Sequence, residues 1–297
     1  LEEIARSEDV PTGQAHRRLM QTFFANSPLG HDVLGTKDSI REMSVEQMRA
    51  YHARRYGANN LIFAIAGNFE WDNVVALLEQ ACGGWSEGEA GRHAEAHAEA
   101  HAPDHPLSQV VVKPQLKQQI ILVGSPSVSI QADDLYAAQL AAMILGDGAG
   151  SRLYWNIYQK GLAEAASASL SPFDNTGMLL TFLSTTPDHA AAVLELAQAE
   201  LKGLQADGVQ EDELRRAKDK LISRTVLDGD SAFSRMQDLA FTWVAEGTVR
   251  SIQDEMARIE QVTLADVRRT LDRYPVNANQ TIMAYGPQEA AALGLPA

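Results

Sequence analysis

Gln109–Gly146, QVVVKPQLKQQIILVGSPSVSIQADDLYAAQLAAMILG, decides how the chain is read. The β-branched runs QVVVKP (109–114) and QQIILVG (118–124) are strand candidates in immediate succession, and a helical pattern begins only near Asp133. A parallel pair needs a crossover of a dozen or more residues, so two neighbouring strands without a helix between them argue against a repeating βαβ unit. Downstream come a glycine-rich turn (146–151), a helix RLYWNIYQ (152–159), and strands AEAASASLSPF (163–173) and GMLLTFLSTT (177–186). Thr186-Pro187-Asp188 reads as a helix start, a capping threonine with proline in the first turn, opening DHAAAVLELAQAELKGL. Helical patterns continue through 211–227, 233–247 and 263–274, and QTIMAYG (280–286) closes as a strand. Strands, then many helices, then a strand is the order of an α+β unit, with helices on one face of a mainly antiparallel sheet.

Upstream the pattern is thinner. SVEQMRAYHARRY (44–56) has capping-box spacing between Ser44 and Gln47 and an apolar stripe of Met48, Tyr51 and Tyr56. NNLIFAIAGNF (59–69) reads as a buried strand ending at Gly67, with a helix from Trp71 to Cys82 after it. One strand does not make a sheet, so the expectation is a first domain whose other strands lie upstream of Leu1. Between the halves, residues 83–106 are rich in Gly, Ala, Glu and His and close on Pro103 and Pro106, the composition of a linker. The expected division is the C-terminal part of a first αβ domain over 1–90, a linker over 91–107 and a second αβ domain over 108–297.

The chain has 297 residues, enough for two compact units. Its net charge of −14 argues against a nucleic acid partner, because such a surface repels phosphate backbones. No run of 18 apolar residues exists to span a membrane. The single cysteine, Cys82, forms no internal disulfide, and its apolar helix suggests a core role. LEEIARSEDVP has neither the basic start nor the apolar stretch of a signal peptide, and the compartment stays open.

Three features invite chemistry. His93, His97 and His101 repeat at a spacing of four, so neighbouring pairs could chelate a metal on a helix face, although all three could not share one ion. A solvated connector is the weightier reading, with adventitious metal binding beside it. Gly146-Asp147-Gly148-Ala149-Gly150-Ser151 resembles a phosphate cradle but lacks the P-loop lysine and follows a helix, so a tight turn outweighs it. Glu2, Glu3, Glu8 and Asp9 form an acidic helix end, and one carboxylate cannot hold zinc alone.

LEEIARSEDVP, SPLGHDVLGTKDSIREMSVEQMRAYHARRYGANNLIFAIAGNF, ILGDGAGSRLYWNIYQKGLA, GVQEDELRRAKDKL and the terminal AYGP together resemble the pitrilysin/insulinase-type zinc peptidases, in particular their mitochondrial processing peptidase-like branch. The resemblance runs over nearly the whole chain. It implies two homologous αβ domains forming half of a clam shell, and a zinc endopeptidase that hydrolyses peptides with metal-activated water. It implies Glu3 as the distal zinc ligand, with the two histidines and general-base glutamate of an H-x-x-E-H motif elsewhere. No H-x-x-E-H occurs here, so the expectation is a fragment whose motif lies upstream of Leu1 and which is inactive alone. The family's arginine and tyrosine that hold substrate fall at Tyr158 and Glu164, so a second homologous subunit is expected to supply that pair. The alternative is a non-catalytic core or scaffolding subunit of the same fold.

Overall fold

The computed structural model describes residues 1–25, 27–89 and 103–296. Its centre is one sheet of five strands: β1 Leu107–Val112, β2 Gln119–Ser127, β3 Ala165–Phe173, β4 Thr176–Thr185 and β5 Thr281–Gly286. The order across the sheet is β1-β5-β2-β4-β3. Three of the four pairings are antiparallel, and β1 runs parallel to β5 with Leu107 opposite Thr281. The α+β class therefore holds. The final strand enters between β1 and β2, so these two successive strands are next-but-one neighbours rather than a direct pair.

Alternation along the strands builds two cores. Ile121, Val123, Leu179, Leu183 and Ala284 face one layer of helices. That layer comprises α6 (Leu135–Gly146), α7 (Ala190–Asp207), α8 (Glu211–Gly229), α10 (Ile252–Gln261) and α11 (Leu264–Arg273). The richness of α6 in alanine has a structural reason: Ala137, Ala138, Ala141 and Ala142 are buried and let the helix lie close to the sheet. At its end, a Cβ on Gly146 would stand 2.1 Å from the Ala168 nitrogen of β3, so no side chain fits.

The opposite face is also covered. Ile120, Leu122, Met178, Met283 and Tyr285 pack against Ala15, Leu19 and Phe23 of α2 (Pro11–Phe23), with Phe24 just beyond its end. Fully burying each such Leu or Phe side chain contributes about 1.5–3 kcal/mol. Phe24 also meets the Phe173 ring edge-on, with centroids 5.6 Å apart, joining the end of α2 to the end of β3. Gly124 of β2 makes room beneath the helix; a Cβ there would lie 2.8 Å from Met178 Sδ and 3.1 Å from the Phe23 ring.

Residues 31–89 differ in kind. α4 (Val45–Arg55) and α5 (Trp71–Cys82) form as expected, α3 (Lys37–Glu42) is an additional short helix, and Thr36/Ser39 and Ser44/Gln47 close capping boxes. None of these helices has a buried residue, so Cys82 ends α5 half-buried rather than in a core. The expected strand at 59–69 is absent: 61–66 has no regular secondary structure and pairs with no described strand. Ile62 and Phe63 are 52% and 54% exposed. The reason is physical, because no other strand among the described residues lies beside this run to complete its backbone hydrogen bonds.

Smaller departures have local causes. The 152–159 helix narrows to a π-turn, Tyr154–Tyr158. Thr186 makes no side-chain cap; a 3-10 turn at Pro187–His189 leads into α7 instead. Helix α10, capped by Ser251 with Asp254, is not among the segments read from the sequence.

Gly146→Val should lower unfolding free energy by about 3 kcal/mol, since backbone must move, whereas Gly124→Ala should cost about 1 kcal/mol because only side-chain ends must yield. Urea midpoints at unchanged m-value measure both. Equal costs would show that close approach is not what selects glycine at 146.

Candidate functional site

α1 spans Glu2–Glu8 and carries Glu2 and Glu3 in its first turn. It is short, so its neighbours hold it: Arg17 Nη2 and Gln14 Nε2 of α2 donate to the Ser7 carbonyl at 2.7 Å and 3.3 Å. Lys37 Nζ pairs with Glu8 at 2.7 Å, and Arg17 Nε lies 3.4 Å from Asp32. Together these residues border a cleft of about 320 Å³ with Arg18 on its wall. Glu3 stands outside this bonding, exposed on the first turn. The residues present do not by themselves fit a zinc ion. Among the described residues no three His, Cys, Asp or Glu side chains converge, and Glu3 is one of about three protein ligands that catalytic zinc requires. His93, His97 and His101 lie outside the described residues. His105 is exposed and its ring Nδ1 is 2.6 Å from Asp104 Oδ1, a hydrogen bond that holds the Asp104 carboxyl below its ordinary range.

The glycine-rich segment is a turn. Gly148 and Gly150 adopt φ of 67° and 95°, the left-handed region open to glycine, and Ser151 Oγ donates to the Gly148 carbonyl at 2.7 Å. Asp147 occupies the place an anion would need, with Lys220 and Arg224 of α8 each 2.9 Å from its carboxylate. Burial would raise the Asp147 carboxyl, but these cations bring it below the usual range.

The positions that would carry the substrate-holding pair do other work. Tyr158 stacks on Tyr154 with centroids 5.4 Å apart. Glu164 accepts a hydrogen bond from the Gln118 amide, and its own N–H donates to Ser184 at 2.8 Å. Nearby Arg152 has a structural role: its Nε and Nη2 bind Glu213 at 2.8 Å and 2.7 Å, and Nη2 also donates to the Gly208 carbonyl at 2.8 Å. This two-pronged pair pins the π-turn to the start of α8. A second network holds α6 to α10. Arg250 bonds Glu246, Tyr136 Oη at 3.3 Å and Glu255 at 3.2 Å, and Tyr136 donates to Glu255. Burial, then Glu255, raise the Tyr136 phenol, which keeps it a donor. Both networks join residues far apart in sequence, and no local pattern announces them.

Helices on both faces of a mainly antiparallel five-stranded sheet define an α+β unit. Solved structures agree on the fold. The peptidase M16 inactive domain from Pseudomonas fluorescens matches with a TM-score of 0.84 at 21% identity, over 97% of this chain and 68% of that one. A chain of complex III2 from Candida albicans, bound to Inz-5, matches with a TM-score of 0.84 at 17% identity, over 96% of this chain and 69% of that one. Residues 42–221 match the family model described as the peptidase M16 inactive domain, and the chain belongs to that family. An uncharacterized zinc protease of Rickettsia bellii is 27% identical over 97% of this chain, and one of Mycobacterium tuberculosis (strain H37Rv) is 28% identical over 90%. The chain spans 68% and 61% of their respective lengths.

The Arg152–Glu213 pair makes stability pH-dependent. Burial raises the Glu213 carboxyl, yet the hydrogen bonds from Arg152 and the Gln210 N–H lower it further, so its folded pKa lies below the ordinary value. Its contribution is therefore complete above the ordinary glutamate pKa of about 4.3 and is lost as pH falls through the folded value. Arg152→Ala should cost about 3 kcal/mol at pH 7 by leaving a mostly buried carboxylate unpaired. Glu213→Gln should flatten the fall in stability below about pH 4. Denaturant titrations from pH 3 to 7 measure both; an unchanged acid limb in Glu213→Gln would refute the assignment.

Proposed function

We propose that this chain is the zinc-bearing half of a two-component endopeptidase, the organisation expected of the mitochondrial processing peptidase-like branch. Glu3 contributes one metal ligand, and the remaining ligands and the general base come from residues outside the chain. Such a site would leave a coordination position for the water that attacks a peptide carbonyl. The observation that carries this reading is the state of Glu3. Its helix is fastened to α2 through Ser7, Gln14 and Arg17, while its carboxylate is exposed on the first turn and engages no described residue. The names of the zinc protease relatives support the same reading. A homologous subunit would bring the arginine and tyrosine whose places here are taken by Tyr158 and Glu164.

A second reading is a non-catalytic subunit that binds peptide or a partner. The match to an inactive domain and the likeness to a chain of complex III2 favour it.

The complete gene product separates the two. Under the first reading it carries stoichiometric zinc and hydrolyses peptides with its partner present. Glu3→Gln then loses both, and Glu2→Gln keeps both. Undiminished zinc in Glu3→Gln would sink the ligand assignment, and a complete product without zinc or hydrolysis that still binds its partner would establish the scaffold.

A further inference from the structure

Among the described residues, two arginine nitrogens are buried without a hydrogen-bond partner, Nε of Arg18 and Nε of Arg250. The two side chains are otherwise unlike. Arg250 spends its other nitrogens on Glu246, the last residue of α9 (Ala232–Glu246), and on Glu255 and Tyr136, so its charge is answered. The Arg18 side chain makes no ion pair or hydrogen bond with any described residue. A guanidinium is all donor, and a buried donor left unmade is costly. An acceptor from elsewhere removes that cost.

Arg18 lines the cleft of about 320 Å³ between α1, α2 and residues 32–37. Gln14, Arg18 and Gln21 recur at helical spacing, so one face of α2 forms its floor. The cations on the lining are Arg17, Arg18 and Lys37, and the carboxylates are Glu8 and Asp32. Both carboxylates are already engaged. Glu8 pairs with Lys37 at 2.7 Å, while Asp32 lies 3.4 Å from Arg17 Nε and accepts the Leu34 N–H at 3.0 Å. Matching these pairs leaves Arg18 as one uncompensated positive charge in a chain of net charge −14.

We propose that Arg18 anchors a carboxylate site, and that the site receives an acidic side chain, Asp or Glu, of a peptide bound by this chain. Guanidinium geometry fixes the ligand class: Nε and one Nη present parallel N–H groups that match the two oxygens of a carboxylate, and the unmet Nε is one of that pair. A cleft of this size stands at the small end for ligands and admits a side chain rather than a cofactor. Position favours a peptide as its source. α1 walls the cleft with Ile4 and Ser7, and Ser7 is one turn, about 6 Å along the helix axis, from Glu3. An extended peptide advances about 3.3 Å per residue, so one that reaches Glu3 brings a side chain roughly two to four residues away to the cleft. This inference rests on the peptide binding common to both readings above, and not on zinc.

Two measurements test it. In NMR spectra of the 297-residue chain, acetate should shift the amides of Ile4 and Ser7 saturably, with a midpoint of about 1–10 mM, while chloride at equal ionic strength should not. Arg18→Gln should abolish the shift, and Arg18→Met, which removes an unanswered charge, should show a urea midpoint no lower than the parent chain. Absence of a saturable shift, or one that Arg18→Gln retains, overturns the site. In the complete gene product, kept zinc-free so that nothing is cleaved, fluorescence anisotropy compares C-terminally amidated, alanine-rich peptides carrying one Glu or one Gln at successive positions. At one position Glu should bind at least about tenfold more tightly than Gln. Arg18→Gln should level the two, and Arg18→Lys should keep part of the preference. Equal binding of Glu and Gln peptides at every position overturns the peptide assignment. So does a complete product that no longer responds to acetate, because a carboxylate from its own remainder then sits on Arg18. Failure of the zinc reading would change neither measurement.

Discussion

A strand is stable only beside another strand, and this constraint divides the molecule. β5 and the run at 61–66 are both short, apolar and closed by glycine, but β5 lies between β1 and β2 with its backbone groups paired on both sides. The run at 61–66 has no such neighbour among the described residues and forms no strand, with Ile62, Phe63 and Ile65 exposed. β5 contributes Met283 and Tyr285 to the core under α2, and Ala284 to the core on the other face. The helices next to 61–66 in sequence, α4 and α5, bury no residue. Side-chain pattern selects which residues would form a strand; the ladder decides whether they do.

The same division explains what could be read from the sequence. All five strands of the sheet were legible, four from apolar runs containing Val, Ile or Thr and β3 from its place between turn residues beside β4. The helices α7, α8 and α11 were legible from their period. Residues 59–69 carry an equally good strand pattern and failed, because the missing quantity is not local. Helix α10 was missed although Ser251 and Asp254 hold the spacing of a helix start and Ile252, Met256 and Ile259 recur at helical spacing. The insertion of β5 between β1 and β2 was invisible for a related reason: strand order is set by contacts between residues about 170 apart, and alternation along each strand is the same for either neighbour.

For the candidate site, legibility was of another sort. Residue chemistry alone made Glu3 one acid among 39 acidic residues, and only the resemblance of its phrase to a peptidase family singled it out. The histidine tract, which advertises metal binding most openly, rests on spacing alone and has no described scaffold to fix it. Conversely, the two electrostatic anchors of the second unit, Arg152–Glu213 and Arg250–Glu255–Tyr136, lack any sequence signature. Each centres on a largely buried guanidinium paired with carboxylates, although Arg250 Nε itself has no hydrogen-bond partner among the described residues. Such pairs fix relative position more than they add stability.

α1 and α2 give the arrangement its functional sense. The carboxylate of Glu3 is only as well placed as its helix, and a seven-residue helix has little stability of its own. Its orientation is inherited from α2 through the bonds of Arg17 and Gln14 to the Ser7 carbonyl, and α2 is in turn seated on the sheet by Leu19, Phe23 and Phe24. Under the proposed role of Glu3, a ligand that must sit within a fraction of an ångström of its metal would be referenced to the sheet of the second unit rather than to the exposed helices that follow α2. Loss of packing at Phe23 would therefore be felt at Glu3, with no contact between them, because α2 lies on the sheet and donates the bonds that hold the end of α1.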